Sequence, residues 1–279
     1  MIGIELFKQL RRRSVWLTLG VMAATPALLT AVIGLTRPTL AERFGNWGSV
    51  VTDTSGLTMP LIALNAMLLF LIPLAVAIFA GESVAAEAGW GGLRYLLIRP
   101  VSRTRVLAAK AAVAAGFAAT GVAVACASAL VAGVLAFGWR PLTVLDLQHT
   151  TAFHLALTTF SPETALARLL LAWLCVLGTV ASTFAFTFFL STLTDQPFSA
   201  VAGGVGLGLV SRALDNVPGL HALAPWLPVT DAGTTAWTGV FFQPADLAGL
   251  PHIALLQAFY TAVFLAAAWL RFTRVDVLN

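Results

Sequence analysis

Asp146, His149, His154 and Glu163 fall close together in an otherwise apolar chain and are of the types that ligate divalent metals. A metal pair on one helix face needs histidines about four residues apart, and His149 and His154 are five apart, so they read as ordinary loop residues. His221 and His252 stand alone. No nucleophile and base can be assembled at helical spacing, so an intramembrane enzyme has only the His149 and His154 grouping to rest on. The glycines from Gly203 to Gly208 lack the lysine and hydroxyl of a Gly-x-x-x-x-Gly-Lys-Ser/Thr phosphate loop. Gly204 and Gly208 instead have the small-xxx-small spacing that lets helices approach closely. No nucleotide site is written in the chain.

The most informative stretch runs from Gly81 to Arg103. Leu93, Leu96 and Leu97 share one helical face at i, i+3, i+4 spacing, Glu87 and Arg94 share another, and Pro100 stops the helix. With Arg99 and Arg103 at its end, such an amphipathic helix has two uses at a membrane surface. It binds anionic headgroups, or it docks into a groove on a soluble partner. The spacing alone leaves both open.

The elements that position these residues are membrane spans. Of 279 residues, 59% are apolar and only 10% charged, whereas a soluble domain carries about 25% charged residues. With a mean hydropathy of +0.90, that excludes a soluble globular, disordered or disulfide-built chain, and Cys126 and Cys175 read as small buried hydrophobes. The net charge of +4 does not point to nucleic acid, because the lysines and arginines sit between apolar runs rather than on one face. Six segments have the roughly 20 apolar residues a bilayer requires. They are expected at about 15–35, 58–80, 106–137, 165–190, 198–214 and 253–270, with a cytoplasmic helix at about 84–98 and outer segments at 138–164 and 211–252. Eleven of the Lys and Arg residues fall on one side and five on the other, which predicts both termini inside.

Before the first span, Ile2, Leu6 and Leu10 recur every four residues opposite Glu5, Lys8 and Gln9, as in a helix lying along the inner leaflet. The apolar run after Arg11 to Arg13 is too long for a signal-peptide core and reads as an uncleaved anchor. Pro26 and Pro73 predict kinks in the first two spans. Ser161, Pro162 and Glu163 mark the start of the fourth helix, Pro197 that of the fifth. No charge sits mid-span, which argues against a proton-coupled carrier. Asn65 and Gln257 are the strongly polar residues in or near spans, suited to interhelical hydrogen bonds or to contact with cargo. Phe184, Phe186, Phe188 and Phe189 suit lipid packing or an apolar wall. The prolines and tryptophans of the segment 211–252 predict ordered structure at headgroup level.

Glu87-x-Gly89, Gly92-Leu93-Arg94-Tyr95-Leu96-Leu97, Arg99-Pro100-Val101-Ser102-Arg103 and Lys110 together resemble the cytoplasmic loop of type 2 ATP-binding-cassette (ABC) exporter permeases. The ending Phe272-Thr273-Arg274-Val275-Asp276, the six-span plan and the inner-leaflet helix are similar too. The resemblance implies a permease working as a homodimer or pseudo-homodimer in the cell membrane with two cytoplasmic ATPase subunits, which would hold the ATP and Mg. It implies that residues 84–98 form the coupling helix, with Glu87, Gly89, Leu93, Arg94, Leu97, Arg99, Pro100 and Arg103 as the coupling set. The implied cargo is apolar or amphipathic, such as a drug, antibiotic or lipid. An ion extruder or a permease for metalloenzyme assembly is the alternative within this class, and a scaffold or intramembrane enzyme the alternative outside it.

Overall fold

The computed structural model describes residues 1–44, 55–89, 102–145, 157–217, 219, 223–241, 245 and 247–274. The chain is an all-α membrane protein. Helix α1 is Ile2–Leu10 and α2 Arg13–Phe44, followed by a 3-10 turn Gly56–Thr58, α3 Met59–Leu68, α4 Leu71–Gly89 and α5 Arg103–Phe137. A two-stranded ribbon, β1 Leu142–Leu145 and β2 Leu157–Phe160, leads to α6 Pro162–Thr179, α7 Ala181–Ser191 and α8 Pro197–Asp215. Short turns Ala224–Trp226, α9 Asp231–Thr235 and Ala236–Phe241 precede α10 Leu250–Arg274. Among the described residues six helices are long and apolar enough to cross a membrane: α2 through Thr36, α4, α5, α6, α8 and α10. Below, the end carrying α1 is called inner and the opposite end outer, following the charge bias.

Two expectations change. The predicted span at 58–80 is two helices, broken at Leu69 and Phe70, and the long apolar helix is Leu71–Gly89. Pro73 explains the site of the break, because it has no N–H for the Leu69 carbonyl and its ring crowds that carbonyl. The predicted span at 165–190 is also two helices, separated at Val180, whose φ −99° and ψ 2° depart from helical values. By contrast, α2 runs through Pro26 unbroken, with the Ser128 hydroxyl of α5 donating to the Ala23 carbonyl and Thr30 Oγ1 to the Pro26 carbonyl at 2.8 Å.

Other local signals act as read. Ser161 caps α6, its hydroxyl accepting from Thr164 N at 3.4 Å, with Pro162 at the first position and Glu163 in the first turn. Pro197 opens α8. The outer ribbon pairs Leu142 with Phe160 through Leu145 with Leu157, and both Leu142 and Phe160 are buried. Among the described residues it is the one strand element, which an all-helical reading omits.

The core falls into two clusters. Ile72, Val76 and Phe79 of α4, Val113, Phe117 and Val122 of α5, and Leu169 and Val176 of α6 pack together, and Trp237 and Phe241 join them from the outer segment. A second cluster joins Val84, Leu107, Phe188, Ala268 and Phe272 from four helices. The outward faces are apolar, as bilayer contact requires: Leu35, Leu135 and Phe198 are each more than four-fifths exposed. Helix α1 shows the same inversion. Ile2, Ile4, Leu6 and Phe7 are exposed while Glu5 and Gln9 are buried, so its polar face meets protein and its apolar face is left for lipid.

Candidate functional site

Two regions concentrate polar groups, one at each end of α4. At the inner end, Glu5 and Lys8 of α1, Glu87 of α4 and Lys110 of α5 form a closed ring of alternating charge. Lys110 Nζ lies 2.7 Å from Glu87 Oε2 and 3.1 Å from Glu5 Oε2, and Lys8 Nζ lies 3.1 Å from Glu87 Oε1 and 3.3 Å from Glu5 Oε1. Lys110 also donates to the Ser83 carbonyl at 3.1 Å. The Lys110 side chain is 1% exposed and that of Glu87 9%, so these charges are stable only because each has two opposite partners. Burial acts to lower the pKa of Lys8, but the Glu87 and Glu5 carboxylates outweigh it and hold the value above 10.5.

The same end is tied further by Glu82, whose carboxylate accepts from Ser14 Oγ at 2.6 Å and whose carbonyl accepts from Arg12 Nη1 at 2.8 Å. Gly89 ends α4 so close to the turn before α8 that a Cβ there would stand 2.6 Å from the Asp195 carbonyl oxygen. Arg103 Nη1 donates to the Thr273 carbonyl at 3.4 Å, joining the start of α5 to the end of α10.

At the outer end, Arg212 of α8 reaches the break in the second crossing. Its Nη1 donates to the Leu69 carbonyl at 2.7 Å and its Nη2 to the Leu68 carbonyl at 3.2 Å. Leu69 is the carbonyl that Pro73 leaves without a helical donor. Arg212 Nη2 also donates to Thr234 Oγ1 at 3.2 Å, and its Nε lies 3.8 Å from Asp231 Oδ1, so one guanidinium joins the hinge to α9. The second break has its own plug. Gln257 of α10 accepts from Ser182 N at 3.0 Å through Oε1 and donates to the Pro228 carbonyl at 2.6 Å through Nε2. Ser182 N is one of the donors that the interruption at Val180 leaves open at the start of α7.

Between these breaks and the outer segment lies a cavity of about 320 Å³, walled by Leu227, Val229, Ile253 and Leu256 with Asp215 and Gln257. A small void of about 30 Å³ adjoins the hinge beside Pro73 and Arg212 and shares Thr179, Val229 and Thr234 with it.

The residues singled out from sequence thus separate. Glu87 is buried in the charge ring, and residues 84–89 continue α4 instead of opening a separate helix. Gly89 and Arg103 join neighbouring helices. Leu93, Arg94, Leu97, Arg99 and Pro100 lie outside the described residues, as do His149, His154, Asp146 and His221. Gln257 lines the large cavity; Asn65 is exposed on α3 and lines neither cavity. Among the described residues no cluster of His, Cys, Asp and Glu is arranged to hold a metal ion. Cys126 and Cys175 are free thiols, half-buried rather than fully buried. Sequence reasoning missed Arg212, Lys8 and Glu5; the signal for Arg212 was a lone arginine near an outer span end opposite a proline-broken helix.

Six apolar helices, two of the crossings broken beside a cavity, and a charge-locked inner end define a multi-pass membrane protein with the parts of a transport subunit. Residues 1–194 match the family described as ABC-2 family transporter protein, which spans α1 to α7, and the chain belongs to that family. It is therefore an ABC-type permease subunit, the membrane component of a transporter. No curated protein is similar enough to be matched with it.

Proposed function

We propose that this permease exports an apolar or amphipathic cargo across the cell membrane, powered by ATP and Mg on a separate ABC ATPase, with two permeases and two ATPases in the assembly. The coupling contacts are Leu93, Arg94 and Leu97 on the segment between α4 and α5, with Arg99, Pro100 and Arg103 setting its far end. Glu87 and Gly89 act one step behind them, by fixing the end of α4.

The observation that carries this reading is the charge ring. It makes the inner ends of α1, α4 and α5 one unit at the point where the 90–102 segment leaves α4. A push on that segment would move three helices together, and α4 ends at its outer side in the hinge held by Arg212. The apolar walls of the outer cavity support the choice of cargo.

The test is affinity purification of the full chain from native membranes in mild detergent, with identification of what co-elutes. A Walker-type ATPase that is lost from the Leu93→Asp, Leu97→Asp double variant, while membrane insertion is unchanged, is the expected result. Elution alone, or with a protein lacking a nucleotide site, would remove the reading and reopen a scaffold role.

A further inference from the structure

The outer cavity carries more than volume. Its walls are mostly apolar, with Thr179, Thr230, Thr234, His252 and Gln257 set among them, and among the described residues their one carboxylate is Asp215, which ends the nineteen-residue helix α8. A carboxylate at a helix C-terminus adds its charge to the negative end of the helix dipole, so the two favour a cation together. Arg212, in the last turn of the same helix, is directed to other partners. Arg212 Nε faces Asp231 Oδ1 at 3.8 Å, and its two Nη atoms are spent on the Leu68 and Leu69 carbonyls and on Thr234. Asp215 Oδ2 accepts the Asp231 N–H at 2.9 Å, and among the described residues no cation pairs with Asp215. Among the described residues no lysine or arginine lines the cavity. His252 Nε2 stands 3.0 Å from the Pro225 carbonyl, which can only accept, so that nitrogen donates there.

The size also selects. About 320 Å³ lies at the small end of ligand pockets, enough for a small organic body and too little for two acyl chains. Gln257 is 6% exposed and bonded to Ser182 and Pro228, so it closes the floor, and the carboxylate is the charged anchor.

We infer that this cavity binds a small amphiphile bearing one positive charge, with its apolar part against Val229, Ile253 and Leu256 and its cation at Asp215. As a cargo subsite the inference rests on the permease reading above; as a binding site it stands without any ATPase. Much of its wall lies after residue 194, beyond the part of the chain that matches the family.

The test uses the full chain in dodecyl maltoside, with Cys126→Ala, Cys175→Ala and Val229→Cys, and follows maleimide labelling of the thiol at position 229. Three probes share one tail: octyltrimethylammonium, octyl sulfate and octanol. The ammonium should slow labelling at concentrations where the other two do not. Asp215→Asn keeps an acceptor for the Asp231 N–H and should raise the ammonium concentration required about tenfold, the usual size of one lost charge-assisted contact. Leu256→Trp fills the cavity without touching Asp215 and should abolish protection. Equal protection by all three heads, or protection by none, would overturn the inference. Protection by added phosphatidylethanolamine equal to that by the ammonium probe would overturn it as well, by making a bilayer lipid the occupant. Because no nucleotide is involved, none of these results depends on whether an ATPase couples to the chain.

Discussion

Arg212→Met should loosen the second crossing at its break, and the size of the effect follows from the bonds lost. The methionine keeps most of the apolar stem but removes the donors to Leu69 and Leu68. A hydrogen bond from a charged group contributes about 1.5–3 kcal/mol, and a carbonyl left unmet in an apolar setting loses a similar amount. Two carbonyls are affected, so a loss of about 3 kcal/mol is expected, offset in part by release of the desolvated guanidinium. Pro73→Ala in the same chain supplies the missing N–H at the position where a continuous helix would bond Leu69, so it should recover about 1 kcal/mol or more. In the parent chain Pro73 stands in the first turn of α4, where proline is tolerated, and Pro73→Ala alone should change little. Hydrogen exchange across residues 66–74 in lipid nanodiscs reads the local opening, and denaturation in mixed micelles reads the total. Unchanged exchange in Arg212→Met, or no recovery on adding Pro73→Ala, would refute the view that the arginine caps the broken helix.

The charge ring makes an independent prediction. Lys110→Met leaves Glu5 and Glu87 to share Lys8, and removing one member of a buried ion set costs about 3–5 kcal/mol. Adding Glu87→Gln restores neutrality, so the double variant should be more stable than Lys110→Met in mixed-micelle denaturation, and a sum of two separate losses would contradict the ring. Since the pKa of Lys8 is raised, its contribution is complete below the unfolded value and is lost only as pH rises past the folded value, above 10.5. Docking of α1, followed by labelling of a thiol at Gln9→Cys, should accordingly be insensitive to pH across the neutral range. Between α7 and α8, a Cβ at Gly204 would overlap the Thr187 hydroxyl, whereas Gly206 faces open space. Gly204→Ala should cost about 1–3 kcal/mol by forcing the helices apart, and Gly206→Ala should be neutral or stabilising in the same denaturation assay.

What was legible in the sequence is what depends on local pattern. Apolar length gave the crossings, Ser161 with Pro162 and Glu163 gave the start of α6, and the four-residue repeat of Ile2, Leu6 and Leu10 gave the N-terminal amphipathic helix. Pro73 predicted a disturbance but not that the helix would stop at Leu69, because that outcome depends on an arginine 143 residues away along the chain taking up the freed carbonyl. The break at Val180 has no comparable signal, since nothing in Gly178-Thr179-Val180 forbids a helix; Gln257, 75 residues beyond Ser182, supports it from another helix. The resemblance implies that Glu87 is a coupling contact, whereas the structure buries it. Its burial follows from Lys8 and Lys110, which lie 79 positions before it and 23 after it, and no helical periodicity links three separate helices.

In the proposed coupling, force from an ATPase enters through the segment after α4 and passes through the charge ring into α1, α4 and α5 together. The measurement that meets it most directly is ATP hydrolysis by the co-purifying ATPase in vesicles, with and without the permease. The account predicts a clear change in rate on adding the permease, a loss of that change in the Leu93→Asp, Leu97→Asp variant, and a reduced change in Glu87→Gln although the ATPase still binds. An ATPase that binds the permease yet hydrolyses ATP at the same rate with the parent chain and with both variants would contradict it.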